Sequence, residues 1–439
     1  MLLLALIKRF IVLFVAFTLL VCAATALPQS LIKKNSIDSI PEIQAELAAN
    51  DYHENLDSKA AQTSTYTTGV MFSIMLHQDS GDILRSSMDG AYYETKGDSF
   101  YNLAENAQMP TNTVYTYYWH GWAPVIKPLL IFFNYADIKR IFAACLALGI
   151  VALTALMGKQ LGTMGWVSAG AIAIGIALLR GFETLFTLPY FFVIAIALAS
   201  SCIIAHSWPR RHNEDNTWLY LTFFTAGAFT SYMDFLTTPL LTYALPALCL
   251  IVLWAKSNYK DLSSNTPFAS VKSVIVLIVF TGLAWVLGYV CLWASKWILA
   301  SLVLQQNVIE EAFGEIIFRV GASNQSQWAT VTDISPLTAL LRNGRAAFSI
   351  PMLVLGALFC ITCFIWVLIK RPALEWGLIV GLLIIALLPY LWYVVASNHS
   401  QIHYYFTCKN QIATIAAVLI MGFHCLSAPA EASITDTSN

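Results

Sequence analysis

The sequence predicts an all-α integral membrane protein of about ten transmembrane helices, with a large extracytoplasmic loop after the first helix. Three observations lead there. Hydrophobic residues make up 58% of the 439 and charged residues 11%, against roughly 25% charged in a typical soluble domain. Apolar runs near the ~20 residues that a helix needs to cross the hydrocarbon core recur along the chain. The one extended polar region, 27–113, holds 12 of the 25 acidic residues, among them Asp38, Glu42, Asp79, Asp82 and Asp89. A net charge of −1 gives no polyelectrolyte character and argues for membrane lipid, not nucleic acid, as the surrounding partner.

Residues 1–26 carry Lys8 and Arg9 ahead of an apolar run from Phe10 that ends in Ala24-Thr25-Ala26. The run is long enough to span, so the expectation is a retained signal anchor in the plasma membrane with its N-terminus in the cytoplasm. Residues 27–138 form the extracytoplasmic loop with its interfacial segment. Within it, 39–47 reads as a helix opening at Pro41, and 70–76 is apolar enough to pack on the membrane domain. The stretch 78–98 brings acids and tyrosines together around turns at Gly81 and Gly90. At 115–138 the sequence crowds Tyr115, Tyr117, Tyr118, Trp119, His120 and Trp122 ahead of two proline-broken apolar turns, at Pro124 and Pro128. Amphipathic rings favour the headgroup level, so this is an aromatic belt or the wall of an outward cavity.

The polytopic domain 139–426 contributes nine further spans, near 139–157, 164–180, 184–206, 217–232, 239–255, 271–292, 348–370, 373–393 and 408–424. Threaded from an inside N-terminus, the linkers 158–163, 207–216, 256–270 and 370–371 are cytoplasmic, and each is basic. An outer loop, 294–347, spaces Ile309, Ala312, Phe313, Ile316 and Val320 as one helical face with Glu311 and Glu315 on another, the pattern of an amphipathic surface helix. The tail 427–439 is small and polar and is expected to be a disordered cytoplasmic segment. All nine cysteines lie in or beside apolar runs, which suggests no disulfide framework.

The same threading gathers the polar interruptions on the outer face. Arg180 and Glu183 stand at i,i+3 in a tight turn. Asp234 ends a span among Tyr232, Met233, Phe235 and Leu236, where a carboxylate needs a partner, and Arg180 is the candidate counter-charge. Asn398, His399 and His403 occupy the turn before the last span. Each alone is ordinary loop polarity, but four segments meeting on one face point to a site. His399 and His403 at i,i+4, with His120 as a third, have the ligand types for a divalent metal, although no H-E-x-x-H accompanies them and hydrogen bonding is the plainer role. Phosphate-loop, dinucleotide and nucleophile-elbow motifs are absent from the sequence.

A cytoplasmic N-terminus, one span, an acidic first outer loop and many further spans together resemble the GT-C class of polytopic membrane glycosyltransferases. The stretches LPQSLIKKN, TYYWHGWAPVIKPLLIFFNYADIKRI, MDFLTTPLLT and NHSQIHYYFT also resemble an uncharacterised family of bacterial multi-span membrane proteins, over most of the chain. The GT-C resemblance implies a sugar moving from a polyprenyl-phosphate donor to a cell-envelope acceptor on the outer face, with an acidic residue of the first loop as base or metal ligand. Carried onto this chain, Asp79, Asp82, Asp234 and His120 are the candidate catalytic residues. Tyr117, Trp119 and Trp122 would stack on sugar faces. Arg180, Lys127 or an arginine of 294–347 would meet the donor phosphate, and Glu183, Asn398, His399 and His403 complete the candidate substrate contacts. In place of the class's acidic motif soon after the first span, the nearest paired acids are Asp79-x-x-Asp82. A transporter or flippase of a lipid-linked or small polar substrate fits the same pattern, as does a non-catalytic envelope-assembly protein.

Overall fold

Backbone amides in hydrocarbon have no water to bond, so a chain this apolar must satisfy them within helices or a closed barrel. The computed structural model takes the helical solution. It describes residues 2–51, 62–78, 81–93, 109–179, 187–212, 214–262, 267–325, 330–331 and 333–429. Among these it has 18 α-helices and no strand beyond two isolated bridges, Tyr92–Thr113 and Gln325–Thr330. Asp79, Arg180, Glu183 and the tail after Pro429 lie outside the described residues.

Helix α1 (Leu2–Ala26) is followed in the polar region by α2 (Gln29–Asp51), α3 (Gln62–His77), α4 (Ile83–Asp89) and α5 (Ala123–Leu129). The bundle then runs through α6 (Tyr135–Leu161), α7 (Thr163–Leu178), α8 (Leu188–Arg211), α9 (Thr217–Met233), α10 (Leu241–Leu262) and α11 (Pro267–Leu304). Two short helices, α12 (Val308–Arg319) and α13 (Pro336–Ala347), precede α14 (Ile350–Lys370) and α15 (Trp376–Val395). Finally α16 (Ser397–Ile402) and α17 (Tyr404–Thr407) lead through a 3-10 turn into α18 (Gln411–Ser427). Among the described residues seven helices are long and apolar enough to cross a membrane: α1, α6, α8, α11, α14, α15 and the continuous α17–α18 rod. This is a multi-pass membrane protein. The other three apolar segments of the sequence overlap the shorter helices α7, α9 and α10.

Three boundaries depart from the sequence pattern. Helix α2 begins at Gln29, not near Ser39, and carries Pro41 in its interior. Its buried face of Ile32, Ser36, Ser39, Ile40 and Ile43 holds the earlier turns. The Ser39 hydroxyl donates to Asn35 O and accepts Tyr135 N, so packing on α6 outweighs the proline. The expected turns at Pro124 and Pro128 instead form α5, with Pro124 in the first turn, where no intrahelical amide bond is lost. Helix α11 continues to Leu304, so the expected outer loop starts as helix. Its projecting turns are held by the 115–122 segment and α4. Trp293 and Trp297 both donate their Nε1–H to Tyr117 O (2.8 and 3.2 Å), and buried Lys296 donates to Met88 O at 2.6 Å.

The helices alternate between two ends. At one end, Trp208 Nε1 donates to Ser257 Oγ (2.8 Å), Ser270 Oγ donates to the buried Glu375 carboxylate, and Glu375 N donates to His424 Nε2 at 3.2 Å. These contacts tie two of the basic linkers, 207–216 and 256–270, to the start of α15 and the end of α18. The opposite end collects α4, the 115–122 segment, α12 and α16.

Helices α9 and α11 pack backbone to backbone. A Cβ on Gly227 would fall 2.0 Å from Trp285 O, and one on Gly288 1.9 Å from Phe224 O; small residues are what let helices approach this closely in lipid. Gly288→Ala should therefore destabilise the protein by roughly 1–3 kcal/mol through overpacking, seen as a lower melting temperature in detergent. Gly356→Ala, where a Cβ meets nothing within 4 Å, should leave the melt in place, and equal effects of the two would remove this account of the interface.

Candidate functional site

At the end away from the basic linkers, the 115–122 segment crosses between α4, α9 and α11. Two close approaches fix its course. Gly121 N donates to Tyr232 O at 2.9 Å, and a Cβ on Gly121 would strike the Tyr232 ring at 2.3 Å. Gly90, the left-handed C-cap of α4 (φ 55°), lies under His120, where a Cβ would fall 2.3 Å from the imidazole Cε1. His120 itself has φ 54°, a backbone state that a non-glycine residue adopts only under tertiary constraint.

The side chains so placed converge on Phe235, in the turn after α9. Its ring centroid lies 5.8 Å from Tyr115, 5.6 Å from Tyr118, 6.0 Å from His120 and 5.7 Å from Trp122. Next to this aromatic group stands Arg319, at the end of α12. Its Nη1 donates to His399 Nδ1 at 2.9 Å, and Glu315 one turn earlier approaches Nη2 only to 4.0 Å. His399 Nε2 in turn donates to Leu236 O at 2.8 Å. Those two bonds require the neutral Nε2–H tautomer, and burial together with the neighbouring His403 and Arg319 holds the His399 pKa well below its usual value. His403, whose Nδ1 lies 2.6 Å from Tyr405 Oη, is pushed down to about 3 by burial and by the Arg319 charge. Burial raises the pKa values of Tyr115, Tyr117 and Tyr118, and the nearby guanidinium offsets part of that rise. Arg319 stays charged beside the buried Glu315 carboxylate.

Several buried polar atoms here have no protein partner: Tyr118 Oη, His120 Nε2, Trp122 Nε1 and Arg319 Nε. Leaving one such atom dry costs about 1–3 kcal/mol. Four on the segments around one ring are the mark of a place that receives a polar ligand or water.

The carboxylates divide by environment. Asp234 is fully buried and accepts from Thr237 N (3.1 and 3.0 Å) and Thr237 Oγ1 (2.5 Å), so its own loop supplies its partners; burial still pushes it up to about 7. Asp89, at the end of α4, is half-buried. It accepts Ala91 N at 3.1 Å, and burial raises its pKa against the pull of Lys296. Glu311 accepts the Thr116 hydroxyl at 2.7 Å. Asp82 is exposed and caps α4 through Arg85 N at 3.3 Å.

Of the residues singled out in the sequence, His120, Tyr117, Trp122, Asp234, Asn398, His399 and His403 come together here. Asn398 Nδ2 donates to Phe318 O at 2.8 Å, which seats α16 on α12. Trp119 is enclosed between α1 and α11, with Nε1 on Leu292 O at 2.8 Å. Lys127 lies elsewhere, buried on α5 with Nζ on Gln78 Oε1 at 2.9 Å and lowered to about 8 by burial. Among the described residues no group of three or more His, Cys, Asp or Glu is placed to hold a metal. Phe235 and Asp89 were not among the candidates, and Arg319 was covered only as one of the arginines of 294–347. The Asp89-Gly90 pair and the Glu315/Arg319 spacing at i,i+4 were the available signals. Comparison with known protein families, curated proteins and solved structures finds no match.

The neutral imidazoles set the response to acid. An unfolded histidine titrates near 6.5, while folded His403 resists protonation down to about 3. Stability is therefore present above ~6.5 and falls with pH below it, by about 1.4 kcal/mol per pH unit for each such group. Chemical denaturation of the purified protein should show this loss between about pH 7 and about pH 5, and His403→Gln should reduce it by one proton's share. An identical loss in the variant would mean that His403 is already protonated in the fold.

Proposed function

We propose that this chain is a GT-C-like glycosyltransferase. It moves a sugar from a polyprenyl-phosphate donor to an envelope acceptor on the outer face of the plasma membrane, through ten spans with the N-terminus in the cytoplasm. The observation that carries this reading is the orientation of α12. That helix exposes Ile309, Phe313, Ile317 and Val320, while it buries Glu315 and turns Arg319 inward. A helix with its apolar face outward belongs at a lipid surface. An isoprenoid chain lying along that face brings its phosphate to Arg319, beside the three tyrosine hydroxyls. The ten-span topology draws support from the ten helices and from the basic linkers at one end of the bundle.

In this reading the Arg319 guanidinium and the tyrosine hydroxyls bind the donor phosphate, a charge-assisted arrangement suited to its oxygens. Trp122 Nε1 and His120 Nε2 meet sugar hydroxyls. An acceptor oxygen attacks the anomeric carbon as its bond to the phosphate oxygen breaks. The leaving phosphate keeps the electron pair against Arg319, and the acceptor proton passes to a carboxylate. Asp89 fits that role better than Asp82 or Asp234: it is half-buried at the cluster's edge with a raised pKa, whereas Asp82 is a solvated helix cap and Asp234 is bound by its own turn.

Arg319→Gln and Asp89→Asn should each reduce transfer in cells by about 100-fold or more, the scale of losing a preorganised charge contact. Envelope glycans and accumulated polyprenyl-linked sugar are the readouts. Unchanged glycans and unchanged lipid-linked sugar in both variants, at normal protein levels, would sink the transferase reading.

A further inference from the structure

A second site lies on the membrane-facing side of the bundle. A cavity of about 650 Å³ opens between α1, α8 and α9. Its walls are graded along the membrane normal. Toward the outer end they are apolar, with Phe191, Phe192, Phe229 and Met233; toward the end with the basic linkers they carry Arg9, Arg211 and Thr225. From Phe191 to Arg211 the α8 wall rises ~30 Å, about the full hydrocarbon thickness.

Arg9 is the anomaly. It sits within the apolar α1 and reaches Thr225 Oγ1 only at 3.5 Å, two turns along α9 from its start at Thr217. Among the described residues neither Arg9 nor Arg211 has an acidic partner. A guanidinium at membrane depth needs an anion or water to meet it, and Arg211, at the linker end of α8, lines the same groove.

We infer that the groove between α1, α8 and α9 binds one anionic phospholipid, its phosphate between Arg9 and Arg211 and an acyl chain along Phe191, Phe192 and Phe229. Two cations that form no ion pair with a carboxylate among the described residues favour a headgroup of net negative charge over a zwitterionic one, whose own ammonium would be repelled. The cationic end lies opposite the Arg319 cluster, so this site is distinct from the outer one and does not depend on the reading given for it.

The test uses the full chain, purified in detergent and offered phosphatidylglycerol and phosphatidylcholine, with retained lipid counted by native mass spectrometry. The wild type should prefer phosphatidylglycerol by roughly 30-fold, the scale of two surface cations. R9Q/R211Q should abolish the preference and R9K/R211K keep most of it. Ala199→Trp fills the groove without changing charge and should displace the lipid, which keeps the test decisive if the double variant folds poorly. An equal loss on R371Q, a basic-linker change outside the groove, would reduce the effect to general surface charge and overturn the site. Tighter retention of polyprenyl phosphate than of phosphatidylglycerol would overturn the assignment of the occupant.

Discussion

The end of this protein away from the basic linkers depends on one buried guanidinium and the neutral imidazole that receives it. Arg319 donates to His399, and His399 donates onward to Leu236 O. That two-bond relay joins α12, α16 and the turn between α9 and α10, three segments that are far apart in sequence. It also dictates protonation, since a charged His399 would have no lone pair for Arg319 and would place two cations 2.9 Å apart. The left-handed backbone at Leu236 (φ 62°) is the conformational consequence: the chain turns back so that its carbonyl meets the imidazole.

A second constraint sets the loop over the bundle. The Tyr117 carbonyl accepts from two tryptophans one helical turn apart on α11, and the Met88 carbonyl accepts from Lys296 between them. The loop's backbone thereby satisfies three α11 side chains that would otherwise be unpaired donors. The same contacts deliver Gly90 beneath His120 and set the rings around Phe235. Fold and site share their fastenings here: a change that releases the α11 tip from Tyr117 also moves the imidazole and its neighbours.

The sequence was informative where the physics is local. Hydrophobic run length identifies spanning helices because hydrocarbon demands a continuous apolar rod, and seven of the runs lie on helices long and apolar enough to cross. The convergence of His120, Asp234 and His399 on one end followed from threading alone. What escaped was long-range. Helix α11 outlasts its apolar run only because Tyr117 and Met88 meet its end. Pro41 sits inside α2 because α6 holds the turns before it. Arg319 looked like one loop arginine among several, since nothing near it in sequence reveals His399 or the tyrosines. In α12 the periodicity of Ile309, Phe313 and Val320 was plain, but the side facing the protein was not: a soluble helix would bury them, and this one exposes them and buries Glu315.

The arrangement around Arg319 bears on what the site can accept. A carboxylate in bidentate contact would saturate the guanidinium and leave a structural ion pair. Glu315 instead stands 4.0 Å from Nη2, too far for a hydrogen bond, and His399 takes only Nη1. Nε is buried without a partner. Glu315 thus lowers the electrostatic penalty of burying the cation without occupying its donors. A tetrahedral oxyanion, which offers several oxygens to the Nε–Nη edge and to neighbouring hydroxyls, matches the unpartnered Nε better than a neutral ligand with a single acceptor.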